Sequence, residues 1–223
     1  MDSTYKSVWQ SLALSPEGAA AYVSGYSDEE KMYATADDTL QILRDTVGIH
    51  ENDTVLEIGC GLGRVGRSLA PFVREWVGCD VSPEMLRIAA RKLTGIENVR
   101  LVEVSGYDLS PIADASVDVV YCTVVFMHLD EWDRYAYCLE AKRVLRPGGR
   151  FYCDNANIAS DEGWAMFEEV RKKFPANKRP PQSSRCSSVP ELETFLTRAG
   201  FIDCQVKTRP MWVYGWGRKP EKA

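Results

Sequence analysis

Glu57, Gly59, Gly61 and Gly63 alternate through EIGCGLGRVG, directly after the apolar run TVL. Glycines so placed permit a tight strand-to-helix turn with positive φ and let a ligand approach backbone at a helix N-terminus. Two registers compete. Gly61, Gly63 and Gly66 give G-x-G-x-x-G, the spacing that cradles a dinucleotide pyrophosphate. The earlier register begins at Glu57, whose carboxylate would repel a pyrophosphate but can organise donors and water around an ammonium group; alternatively, Glu57 points at a neighbouring helix. In that register Gly66 lies inside the first helix and serves close packing against the sheet.

Asp80 stands 19 residues after Gly61 at the end of the next apolar run, where a carboxylate can accept from two ribose hydroxyls. Its other reading, a cap for the following helix, is already filled by Ser82. His128 follows the fourth apolar run, and its side chain suits proton transfer near neutrality or simply braces its loop. Asp154 and Asn155 end the fifth run, where either can orient an acceptor.

Short strands alternating with helices must hold these residues. TVLEIG, WVGCD, VRLVEV, VDVVYCTVVF and RFYCDN read as strands. Helices are predicted from near Gly63 to Ala70 and near Pro83 to Leu93, and another opens at Asp130. The second has Ser82 as N-cap, a buried stripe of Leu86, Ala89, Ala90 and Leu93, and a stop at Gly95. This alternation predicts βαβ units and a parallel sheet. Residues 1–50 read as an N-terminal helical lid, with a capped helix start at Ser15-Pro16-Glu17 and Leu40, Leu43 and Val47 along one face. Residues 156–190 interrupt the alternation with a helix around Trp164 to Phe174 and a breaker-rich loop, an insertion that would cover the substrate. Ser188 to Glu191 forms a capping-box pattern. The final strands meet at Arg209-Pro210 as an antiparallel hairpin, with Trp212, Tyr214 and Trp216 on one face, packed on a helix or against a partner subunit; helix packing is preferred.

Over residues 53 to 155, the segments VLEIGCGLGRVGRSLA, GCDVSPEMLRIAA, NVRLVEVSGYDLSPIADASVDVVYCTVVFMHL and RVLRPGGRF resemble, in order and spacing, the motifs of class I S-adenosylmethionine-dependent methyltransferases. The resemblance is closest to the small-molecule branch that includes ubiquinone and menaquinone biosynthesis enzymes. It implies an α/β, Rossmann-like three-layer sandwich with a seven-stranded, mostly parallel sheet ending in an antiparallel hairpin, and a domain spanning 51–223 that binds S-adenosylmethionine. The family pattern puts Glu57, Gly59, Cys60, Gly61 and Gly63 around the methionine portion, Asp80 on the ribose, and Val81 and Met85 beside the adenine. The family's acidic adenine contact is replaced here by Val104-Ser105, so Ser105 with Gly106 and Tyr107 takes that place. Cys122 and Thr123 match positions near the amino group and sulfonium, or pack as ordinary strand-end residues.

Methyl transfer from a sulfonium starts from an activated donor, so alignment and exclusion of water are the main demands; a base such as His128 is needed for a hydroxyl or acidic-carbon acceptor. Tyr22, Tyr26, Tyr33 and Trp9, with Trp164 and Phe167, offer aromatic surface for a small acceptor methylated at oxygen, nitrogen or carbon. Two other classes stay open: a catalytically silent cofactor-binding subunit, and a dinucleotide-dependent oxidoreductase.

The composition agrees with one soluble domain: 223 residues, 45% hydrophobic and 26% charged, without a membrane-length apolar run. A net charge of -5 and a pI near 5.2 give no general attraction to nucleic acid, and Arg171 to Lys173 reads as a solvated helix face. Seven scattered cysteines without C-x-x-C or Cys/His spacing predict reduced thiols and no metal site. MDSTYKSVWQ shows no secretion pattern, so the expectation is a cytoplasmic monomer or homodimer.

Overall fold

The computed structural model describes residues 4–15 and 28–221. The elements are α1 (Thr4–Leu12), α2 (Glu29–Thr46), β1 (Thr54–Ile58), α3 (Arg64–Leu69), β2 (Glu75–Asp80), α4 (Pro83–Lys92), β3 (Val99–Glu103), β4 (Val117–Cys122), α5 (Glu131–Val144), β5 (Leu145–Asn157), α6 (Asp161–Lys173), β6 (Cys186–Ser187), α7 (Val189–Arg198), β7 (Ile202–Arg209) and β8 (Trp212–Arg218). The sheet runs β3-β2-β1-β4-β5-β8-β7. β1 to β5 are parallel, whereas β8 lies antiparallel between β5 and β7. The seven expected strands are joined by a two-residue eighth, β6, paired with the end of β5.

Burial on both faces explains the apolar strands. One face carries Leu56, Val77, Val120 and Phe151 against Tyr137, Cys138 and Ala141 of α5 and Leu192 and Leu196 of α7. The other packs Val55, Trp76, Tyr121 and Tyr152 against Leu40, Leu43 and Val47 of α2, Val65 and Leu69 of α3, and Ala89 of α4. The α2 stripe is the one read from the sequence; the Ser15-Pro16-Glu17 start lies outside the described residues. Tyr214 and Trp216 stack at 6.0 Å and join this second core, so the aromatic face of β8 packs within the chain.

Local signals placed the helix starts well, with two corrections. Ser82 caps α4 by accepting from the Met85 N–H at 3.2 Å, and Gly95 ends that stretch with φ +88. Ala90, however, is exposed, and Met85 takes the buried place because the helix turns its apolar stripe toward α1 and Leu62. α7 begins where the capping pattern put it, yet the Ser188 side chain makes no cap bond; Glu191 instead accepts from Arg134 Nη1 at 2.9 Å.

Gly66 lies inside α3 and packs closely against the sheet. A Cβ there would lie 2.5 Å from the Trp76 ring, so the glycine makes room for an indole. Trp76 Nε1 donates to the Tyr121 hydroxyl at 3.0 Å. Gly66→Ala is expected to lower stability by about 1 to 3 kcal/mol through overpacking, measured as the shift of the urea midpoint; an unchanged midpoint would refute this tight fit.

Candidate active site

The strand order reverses between β1 and β4, and the loops leaving these two strands part there to form a cleft, the usual ligand position in an open α/β sheet. Its walls come from four strand ends: Gly59 and Gly61 after β1, Asp80 and Val81 after β2, Val104 and Gly106 after β3, and Thr123 to Val125 with His128 after β4. Tyr5 and Trp9 of α1 close one side, and Met85 and Tyr137 complete the lining.

Gly59, Gly61 and Gly63 all take positive φ, at +71, +51 and +74. A Cβ on Gly59 would also stand 2.3 Å from Val125 Cγ2, so this glycine is needed for both conformation and space. The loop is tied to Asp80, whose Oδ2 accepts from the Gly61 N–H at 2.8 Å while Oδ1 accepts from the Ser82 N–H at 2.9 Å. A carboxylate has about four lone-pair sites. Lone-pair capacity therefore remains for a ligand's hydroxyl. Burial raises the Asp80 carboxyl, and the backbone N–H bonds pull it back.

Behind the loop, Glu57 accepts from the Tyr121 hydroxyl at 2.5 Å, completing a chain Trp76, Tyr121, Glu57. Burial pushes its carboxyl up to about 8, opposed by the Tyr121 bond and by the Arg64 charge. Arg64 was missed in the sequence. It is buried, donates from Nη1 to Thr35 at 3.0 Å, and leaves Nε without a partner.

His128 is buried with its ring edge-on to Trp9 at 4.8 Å. Its Nδ1 lies 2.9 Å from the Gln182 carbonyl, which can only accept, so Nδ1 carries the hydrogen and Nε2 keeps a lone pair. Burial pushes the ring down to about 4, with the Arg185 charge acting in the same direction. It is a neutral acceptor at pH 7. Folded stability should accordingly fall as pH drops from about 6.5 toward 4, where the unfolded chain binds the proton first. In a nitrogen-15 NMR titration, the His128 ring is expected to stay neutral in the Nδ1–H form down to pH 5; a midpoint near 6.5 would refute this.

The 3-10 turn Phe126–His128 is anchored by Arg134, another residue the sequence did not expose. Its buried guanidinium donates from Nε to the Phe126 and Leu129 carbonyls, and from Nη1 to the Cys186 carbonyl, Ser187 Oγ and Glu191. The 156–190 segment also reaches this turn, through the bond of the Arg185 N–H to the Met127 carbonyl.

The structure gathers Gly59, Gly61, Asp80, Val81, Met85, Gly106, Thr123 and His128 into one lining. Thr123 Oγ1 is buried there without a hydrogen-bond partner. Other sequence-selected residues lie elsewhere. Cys60 and Cys122 are buried in the cores flanking the sheet, and Gly63 packs against Leu93. Ser105 Oγ accepts from the Tyr107 and Asp108 N–H groups, so it braces the turn that presents Gly106; Tyr107 is half exposed and meets Tyr5 at 5.5 Å. Asn155 Nδ2 donates to Ser187 at 2.7 Å, which ties it to β6. Tyr33 accepts from Arg67, whose guanidinium lies over its ring. Trp164 is 50% exposed and stacks on Phe167 at 5.2 Å. Tyr22 and Tyr26 lie outside the described residues.

Residues 56–153 match the family model described as "Methyltransferase domain". A Bacillus subtilis relative, the uncharacterized methyltransferase YcgJ, is 31% identical over 192 residues, covering 84% of this chain and 73% of its own. The chain belongs to the methyltransferase family. The solved YcgJ structure shares this methyltransferase's fold, with a TM-score of 0.65 at 20% identity over 83% of this chain and 99% of that one. The Homo sapiens thiol S-methyltransferase TMT1A is 30% identical over 142 residues, 62% of this methyltransferase and 57% of the relative. The methyltransferase assignment read from the motifs holds for the family, and the Rossmann-like α/β architecture holds for the fold. No helix among the described residues is long and apolar enough to cross a membrane, and no group of three or more His, Cys, Asp or Glu side chains among them could hold a metal.

Proposed function

We propose that this methyltransferase binds S-adenosylmethionine in the cleft at the β1/β4 reversal and transfers its methyl group to oxygen, nitrogen or carbon of a small molecule. The observation that carries the reading is Asp80, a buried carboxylate that lines the cleft with lone-pair capacity to spare, set between the glycine loop and the apolar side chains of Val81, Met85 and Val104. These residues suit a ribose with an adenine beside it, and Thr123 and the glycine loop would lie toward the methionine end. Bound there, the cofactor supplies a methyl group already activated by its sulfonium. The chain's own work is to align the acceptor and exclude water, and α1 with Tyr5 and Trp9 favours a lidded site.

His128 Nε2 would take the proton of a hydroxyl, thiol or acidic carbon, since it is neutral and its tautomer is fixed. The thiol activity in the human relative's name adds sulfur to the acceptor atoms worth testing. Seven unpaired thiols agree with a reducing, cytoplasmic setting.

Calorimetric titration with S-adenosylmethionine and S-adenosylhomocysteine tests the cofactor, and tighter binding of a nicotinamide dinucleotide would overturn it. Radiolabelled methyl transfer to a cell metabolite extract tests the reaction. A protein that binds the cofactor yet labels nothing would be a silent subunit.

A further inference from the structure

Val124 adopts φ +60, a left-handed conformation that a β-branched side chain rarely takes. Its position gives the strain a purpose, because Thr123, Val124 and Val125 form one wall of the cleft. Val125 also packs into the space left by Gly59, and its carbonyl accepts from the His128 N–H at 2.9 Å. The turn thus sets the glycine loop on one side and His128 on the other.

A single side chain holds that conformation from the next strand. Asp154 Oδ1 accepts from the Val124 N–H at 2.8 Å, and the Tyr152 hydroxyl approaches Oδ2 at 3.4 Å. Asp154 is 3% exposed and is absent from the cleft lining. The Arg209 and Arg64 charges face it, and burial pushes its carboxyl up to about 6, so it accepts as an anion at pH 7.5.

We infer that Asp154 is a positioning residue: it locks the strained turn at Val124 and thereby aims the Thr123 to Val125 wall and the His128 turn, without touching the ligand. The role of the wall in cofactor binding rests on the proposed function; the locking of the turn does not.

The test compares Asp154→Ala with Asp154→Asn by two readouts. The first is hydrogen exchange of the ligand-free full chain over residues 122–128. Asp154→Ala is expected to speed exchange of the Val124 amide at least tenfold. Asp154→Asn, whose Oδ1 still accepts, should stay within threefold of wild type. The second is calorimetric affinity for S-adenosylhomocysteine, expected to fall about tenfold in Asp154→Ala and to hold within threefold in Asp154→Asn. Unchanged exchange in Asp154→Ala overturns the inference. Equal loss of affinity in Asp154→Asn with exchange intact also overturns it, since the carboxylate charge would then meet the ligand directly. Should Asp154→Ala fail to fold, protection in Asp154→Asn decides: retained, it supports the lock; lost, it overturns it. If wild type binds no S-adenosylhomocysteine, the functional proposal falls, and the exchange experiment alone judges Asp154.

Discussion

Asp80→Ala is expected to weaken S-adenosylhomocysteine binding by about a hundredfold, roughly 2.7 kcal/mol. Two losses combine. The ligand's hydroxyls lose their charged acceptor, at about 1.5 to 3 kcal/mol per bond. The Gly61 and Ser82 N–H groups also lose the carboxylate that ties the glycine loop to the start of α4. Asp80→Asn should fall between, because its amide offers a single acceptor oxygen. Calorimetry on both variants, with circular dichroism to confirm the fold, checks the order. Wild-type affinity in folded Asp80→Ala would remove Asp80 from the site.

Arg134→Ala should have the largest effect on stability, about 3 to 5 kcal/mol, because five acceptors lose one buried guanidinium, Glu191 among them. For a chain of this size that corresponds to a melting temperature roughly 10 °C lower. The damage should centre on residues 126–129 and 186–191, the backbone Arg134 joins. Arg134→Lys is expected to recover little, since one ammonium cannot meet carbonyls on both sides of the fork. Thermal unfolding measures this, and a shift below 2 °C would show that the surrounding backbone holds itself.

The sequence was most legible where the chemistry is local. Ser82-Pro83 and the glycine alternation concern residues within one turn, and each was found as expected. Asp130 opened α5 for the same reason, by accepting from the Asp133 N–H. Arg134 was invisible because its partners at 186, 187 and 191 lie more than 50 residues away in the chain. Ser188 misled for a related cause: Glu191, needed for a capping box, found a buried cation on α5 instead. Tyr5 of α1 escaped notice, and Trp9 was marked only for its aromatic surface, because nothing in ten residues says which loops a short helix will cover.

Gly66 gives a last consequence, for how relatives should be read. The glycine touches an indole rather than a ligand, and the indole in turn steadies Tyr121 and Glu57. Across an alignment, residue 66 should therefore change in step with residue 76, and both should drift independently of Asp80. A glycine that completes a dinucleotide signature on paper would then be inherited as half of a packing pair.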